Sequence, residues 1–244
     1  MTFEEYKKRE EKKIETAKKF MEAGVEFEDI RTVYIADDVK IGKGTYIGPC
    51  VTLEAGTEIG ENCRIYQNTR VQGSVLGNDV QVQSSTVLDA KIGDGTSVGP
   101  FAYIRPGTEV GRNCKIGDFV EVKNSTFGDG SKAAHLTYVG DADIGKNANL
   151  GCGVVFVNYD GSNKYRSNVG NGVFIGCNAN IVSPVKIEDG AYVGAGTTVT
   201  MDVPEDALCV ARAKQRNIDG WAARRGLYAS PTALAMSISL SLSG

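Results

Sequence analysis

Over most of this 244-residue chain an aliphatic residue returns at every sixth position, a period that very few folds can use. The run Ile35, Ile41, Ile47, Leu53, Ile59, Ile65 and Val71 sets the pattern. Shorter steps follow around Leu76, Val82 and Val87, and the beat resumes at Ile92, Val98, Ile104, Val110, Ile116 and Val122. It returns at Ile144, Leu150 and Phe156, then at Val169, Ile175, Ile181, Ile187, Val193 and Val199. The residue after each aliphatic is often Gly. The fourth after it is usually small, as at Val39, Thr45, Val51, Thr57, Cys63, Thr69, Val120, Ala148 and Val173. Each unit reads as a short strand plus a turn, and three units close one triangular coil of a parallel β-helix. The aliphatic side chain points into the prism and the small one fits near the corner. Stacking then buries an apolar column that no single coil could bury alone.

Helices of this repeat resemble one another in being left-handed, so the expected fold class is all-β, a left-handed parallel β-helix with an N-terminal α-helix and a C-terminal arm. The expected organisation is residues 1–30 as helix and linker, 31–203 as β-helix and 204–244 as arm. Residues 3–23 are rich in Glu and Lys with sparse apolar positions, and Gly24 follows as a helix stop. The charge run Lys7 to Lys13 reads as a solvated helix face. The final segment Ser237–Ser243 alternates as a strand does. The periodicity weakens between Phe127 and Ile144, where Ala133 and Val139 stand in for the aliphatic, and it stops between Phe156 and Val169. Interruptions of a repeat tend to be loops on one face, often the binding face.

Composition narrows the function. A net charge of −3 argues against a nucleic-acid binder. No apolar run approaches the roughly 20 residues that span a bilayer, and the N-terminus has no apolar signal core, so a cytoplasmic chain without a membrane partner is expected. The six cysteines form no Cys-x-x-Cys pair, which leaves no zinc motif, and Cys63 and Cys114 fall at the small inward position as core fillers. Between Arg212 and Arg225 five cations face one anion, a pattern that suits either a phosphate site or a solubilising tail.

A single histidine, His135, lies in Ser131–Tyr138, within the first weak stretch of the repeat. One histidine excludes a hexapeptide-repeat carbonic anhydrase, which needs three as zinc ligands. It leaves one candidate for base catalysis near neutral pH. Val122 points inward, so Glu121 and Lys123 must both project from the outer surface, either as an ordinary exposed pair or toward a substrate.

The runs Pro100–Gly107, Phe119–Lys123 and Gly130–Ala142 resemble the acetyltransferase half of the bacterial N-acetylglucosamine-1-phosphate uridylyltransferase/glucosamine-1-phosphate acetyltransferases. So do Asn158–Lys164 and Gly194–Val199. Similarity runs from about residue 25 to Trp221, and the nucleotidyltransferase half has no counterpart here. The resemblance implies transfer of acetyl from acetyl-CoA to glucosamine-1-phosphate, on the way to UDP-N-acetylglucosamine and the cell envelope. It implies His135 as base and Glu121 as the carboxylate that orients it. It implies amino-sugar-phosphate contacts at Arg105, Lys123, Tyr138, Asn149 and Lys164. Acetyl-CoA contacts fall on Cys152, Asn158, Tyr159, Cys177, Ala195 and Arg212, the last promoting the phosphate reading of the basic arm.

Cys152 and Cys177 depart from the small and hydroxyl residues usual at their positions. The resemblance implies direct transfer in a ternary complex, which makes both cofactor-lining groups rather than nucleophiles. The resemblance also implies a homotrimer with sites between neighbouring prisms, and no metal is expected for acetyl transfer. Two alternatives stay open: another amino sugar phosphate or nucleotide sugar as acceptor, since function lives in the site rather than the fold, and a non-catalytic assembly subunit. The intact set from Arg105 to Arg212 argues against the second.

Overall fold

The structure, a computed structural model, describes residues 1–226. It divides into two compact units, Met1–Arg212 and one that begins at Ala213. The first is a left-handed parallel β-solenoid preceded by one helix. Its three faces are sheets of eleven, ten and nine strands, most of them two or three residues long. Every strand pairs in parallel with strands one coil away, as in Ile47↔Ile65, Val82↔Val98 and Ile116↔Ala133. Neighbouring coils are therefore about 4.8 Å apart.

The sequence periodicity explains the core directly. From Ile47 onward the predicted aliphatic residues are buried, and Ile35 and Ile41 near the open end are partly covered. The small positions are buried too, and the Thr and Ser among them bridge coils instead of standing unpaired. Ser131 Oγ donates to Gly145 O at 2.6 Å and accepts from Ala148 N at 2.9 Å; Thr45 does the same with Gly60 O and Cys63 N. A buried hydroxyl costs free energy unless it is hydrogen-bonded, and among the described residues no buried side-chain nitrogen or oxygen lacks a partner. Cys63 and Cys114 are core fillers as expected, and burial pushes both thiols up from their ordinary pKa.

The ladder extends past both expected boundaries. Glu26–Phe27 already pairs with Tyr46–Ile47, and Leu208–Cys209 still pairs with Tyr192–Val193. The expected N-terminal helix spans Phe3–Glu22, opened by a capping box in which Thr2 and Glu5 satisfy each other's backbone N–H. Ala17 is its one buried residue and Phe20 packs against the core, while the charge run is exposed except for the partly covered Glu10 and Lys13. No helix among the described residues is long and apolar enough to cross a membrane. In the second unit a short helix, Trp221–Arg224, carries Arg225 over the Trp221 ring. The alternating segment 237–243 lies outside the described residues.

Of the two expected interruptions, the first is no loop: Lys132–His135 and Tyr138–Gly140 are ordinary strands, and Ala133 and Val139, the expected stand-ins for the aliphatic, are fully buried. The smaller Ala133 suffices because its neighbours across the ladder, Ile116 and Leu150, fill the column. The second interruption does leave the prism, as a loop from Asn158 to Arg166 pinned by a bridge between Tyr159 and Lys164.

The three faces differ in chemistry. The nine-stranded face is a charge ladder with Lys40–Glu58 and Lys91–Glu109 pairs at 2.6 Å, exposed pairs that add little stability. The eleven- and ten-stranded faces meet at the corner that carries His135, and the residues singled out in the sequence gather there.

Candidate active site

His135 ends the strand Lys132–His135, two residues after the inward Ala133. Register stacks Ala133 on Ile116 before it and on Leu150, Ile175 and Val193 after it. The residues two positions beyond each of these therefore line one edge of the prism: Asp118, His135, Cys152, Cys177 and Ala195. From His135 to Ala195 this edge descends three coils, about 14 Å at sheet spacing. Arg212 reaches its far end, donating from Nη1 to Ala195 O. Four of the expected site residues thus form one continuous track leading away from the histidine.

The ring of His135 is exposed, and its Nδ1 is hydrogen-bonded to the carboxylate of Asp118 one coil earlier. A carboxylate only accepts, so Nδ1 carries the proton, and in the neutral ring the lone pair lies on Nε2. That bond in turn holds the Asp118 carboxyl below its ordinary pKa. Backbone support comes from the direct pairing Asp118↔His135 and from Leu136 N to Asp118 O at 2.9 Å.

Glu121 occupies a different place from the one expected of an orienting carboxylate. It lies past the corner, on the ten-stranded face, and accepts from Arg105 Nη1 at 2.7 Å. The reason is positional. Only a residue in the same phase of the repeat as His135 stacks beneath it, and seventeen residues earlier that residue is Asp118. Counting one coil back offers Asp118 as a second candidate beside Glu121, and it is the pairing between coils that selects Asp118.

On the ten-stranded face Tyr103, Glu121, Tyr138 and Val155 stand in register across consecutive coils, with Arg105 and Lys123 beside them. Glu121 and Lys123 both face outward around the buried Val122, as expected, yet they do not pair with each other. Lys123 Nζ turns to the next coil and contacts both oxygens of Asp141, at 3.0 and 3.3 Å. Asp141 also accepts from Asn124 at 2.7 Å and from the buried Asn158. Asn149 stands on the eleven-stranded face opposite Lys132, three residues before Cys152. Tyr159 and Lys164 ride on the excursion loop, where Tyr159 Oη donates to Gly161 O at 2.6 Å. The structure thus gathers Arg105, Lys123 and Tyr138 on one face and His135, Cys152, Cys177, Ala195 and Arg212 on the adjoining edge. Asn158 touches the face through Asp141.

A triangular left-handed prism of this kind is a hexapeptide-repeat fold. Residues 89–124 and 166–200 match the bacterial transferase hexapeptide (six repeats), and residues 37–72 match the hexapeptide repeat of succinyl-transferase. Among solved structures, an Arabidopsis UDP-N-acetylglucosamine acyltransferase superposes with a TM-score of 0.59 at 18% identity, over 84% of this chain and 78% of that one, a likeness of fold alone. The particular family is given by sequence. The chain is 58% identical over 207 residues to the bifunctional protein GlmU of Clostridium beijerinckii, covering 85% of this chain and 46% of the relative. It is 54% identical over 207 residues to that of Clostridium kluyveri, covering 85% and 45%. The chain therefore belongs to the GlmU family, as a counterpart of its acetyltransferase half, and it spans less than half the length of these curated relatives.

Proposed function

We propose that this chain transfers the acetyl group of acetyl-CoA to the amine of glucosamine-1-phosphate, giving N-acetylglucosamine-1-phosphate and CoA. The observation that carries the reading is the His135–Asp118 pair at the head of the track. It sets an exposed imidazole, tied through Nδ1 alone, where a face bearing Arg105 and Lys123 meets an edge of small residues. An amine attacks a thioester only through its neutral lone pair. As the new C–N bond forms, His135 Nε2 takes the proton from nitrogen; as the C–S bond breaks, the leaving CoA thiolate takes a proton in turn. Asp118 holds the ring in the tautomer that can do this and favours the imidazolium that results.

Arg105 and Lys123 supply positive charge for the sugar phosphate, and Tyr138 and Asn149 supply polar contacts for the sugar. Lys164 on the excursion loop adds a further cation. Acetyl-CoA would lie along Cys152, Cys177 and Ala195 with Arg212 at its phosphates and Asn158 and Tyr159 alongside, where small side chains let a narrow chain approach the backbone. Backbone amides at the corner are the proposed oxyanion donors. Glu121, held by Arg105, belongs with the sugar-phosphate face rather than with the base.

A thiol-release assay with acetyl-CoA and a panel of amino sugar phosphates tests the reading. Glucosamine-1-phosphate is expected to release CoA fastest, and no release above background with it would sink the assignment of acceptor.

The assembly is proposed as a homotrimer with sites completed between prisms. Support comes from Phe101, Phe119 and Leu136, which follow one another on consecutive coils directly beside the catalytic edge. All three are more than half exposed and adopt left-handed backbone, with φ of 59°, 54° and 47°. The two phenyl rings stack at 5.4 Å. Left-handed backbone costs a residue with a Cβ roughly 1–2 kcal/mol, so three large apolar groups held this way in water call for a covering surface. Phe119→Asp is expected to convert a threefold mass in solution to a monomer, with activity lost alongside. A wild-type chain that is monomeric at micromolar concentration contradicts shared sites.

A further inference from the structure

Asp141 is the only acidic or basic side chain among the described residues that is buried, at 6% exposure, and the reaction outlined above gives it no task. Its corner does not require a charge. Asn124 fills the same corner one coil earlier, with φ 46° against 51° for Asp141, so an amide satisfies this left-handed turn equally well. Burying a carboxylate is expensive unless it is fully paired, and here every partner is a polar side chain near the site. Lys123 Nζ meets both its oxygens, Asn124 Nδ2 donates to one and Asn158 Nδ2 to the other. Burial raises the Asp141 pKa, but the donors from Asn124, Lys123 and Asn158 outweigh it and keep the group ionised.

Backbone bonds place Asp141 at a junction. Asp141 N donates to Lys123 O at 3.0 Å, and Asp141 O accepts from Ser167 N at 3.2 Å where the excursion loop re-enters the prism. Asn158, where that loop departs, is closed by Tyr165 N at 2.9 Å. One residue therefore fixes the strand that carries Lys123 and both ends of the loop that carries Tyr159 and Lys164.

We infer that Asp141 is a positioning residue that couples the two substrate subsites, holding the Lys123 ammonium for the sugar phosphate and the Asn158 amide for acetyl-CoA in a single fixed geometry. The inference rests on the acetyl-transfer reading for the identity of the two ligands. Without Asp141 the Lys123 ammonium, whose side chain is only 17% exposed, would swing toward solvent, and the Asn158 amide would lose its anchor. Both subsites would then loosen together although neither lost a residue that touches ligand.

Equilibrium titration of the full chain with CoA, and separately with glucosamine-1-phosphate, tests this. Asp141→Asn keeps shape and turn preference but removes the charge, and is expected to weaken both ligands about tenfold, the scale of one charge-assisted hydrogen bond. Lys123→Met is expected to weaken only the sugar phosphate and Asn158→Ala only CoA. Adding Asp141→Asn to Lys123→Met should cost no further sugar-phosphate affinity, because Asp141 acts there through Lys123. Wild-type affinity for both ligands in Asp141→Asn, or full additivity with Lys123→Met, overturns the inference. If Asp141→Asn unfolds, the double variant, which no longer strands an ammonium, carries the same CoA readout. Should glucosamine-1-phosphate fail to bind the wild-type chain while CoA binds, the acceptor assignment fails. The CoA arm then decides for or against Asp141 on its own.

Discussion

Replacing His135 with alanine is expected to lower turnover by about 10²–10⁴-fold while leaving the melting temperature and both KM values close to those of the unaltered chain. The size follows from the role: a base acts in the transition state, so its loss appears in kcat rather than in ground-state binding. Stability is spared because the ring is exposed and its one partner, Asp118, is itself partly solvated. Two further variants separate the carboxylates nearby. Asp118→Asn should lower kcat by about tenfold, since an amide no longer favours the imidazolium. Glu121→Gln should raise KM for the sugar phosphate instead, because Glu121 is tied to Arg105. Near wild-type kcat in His135→Ala would remove the histidine from the chemistry. The reverse pattern between the two carboxylates would return the orienting role to Glu121.

Gly117→Ala is expected to abolish most activity with every proposed catalytic side chain in place. Gly117 lies between Ile116 and Asp118, opposite Ala134, and an added Cβ would stand 1.9 Å from Ala134 O. That is the tightest approach at any glycine among the described residues, and the obstacle is backbone rather than a side chain that could rotate away. The strand Lys132–His135 must retreat by about 1 Å, which opens the Asp118–His135 bond and moves Nε2. A displacement of that size costs on the order of 10²-fold in rate, and forced overpacking about 1–3 kcal/mol in stability. Measurement of kcat beside a thermal melt reads both. A variant with normal kcat and a lowered melting point would show that the prism absorbs the strain elsewhere and that His135 placement does not depend on coil spacing.

The same coil spacing explains why sequence reading reached the fold more fully than the site. The aliphatic beat specifies which side chains point inward and therefore which three faces exist, and no competing arrangement satisfies over twenty units at once. It also placed Glu121 and Lys123 outward, correctly, because alternation along a strand is a local property. Their partners were not local. Lys123 pairs with a residue eighteen positions later and Glu121 with one sixteen positions earlier, so an adjacent pair of opposite charges turned out to serve two different coils. The weak beat around Ala133 suggested a loop because periodicity registers side-chain size, whereas the ladder needs only backbone, which Ala133 provides.

By itself, then, the sequence determined the prism, its inward column, its excursion between Phe156 and Val169 and its single histidine, because each of these is written in a short repeat of residue types. Only the tertiary structure decided which carboxylate faces His135 and that Asp141 stands buried between Lys123 and Asn158. It likewise decided that Cys152, Cys177 and Ala195 form one edge with the base. Those relations depend on register between coils, and register accumulates from turns of five and six residues and one long excursion. A single miscounted step moves a side chain to another face, and hydrogen bonding between neighbouring coils is what fixes the count.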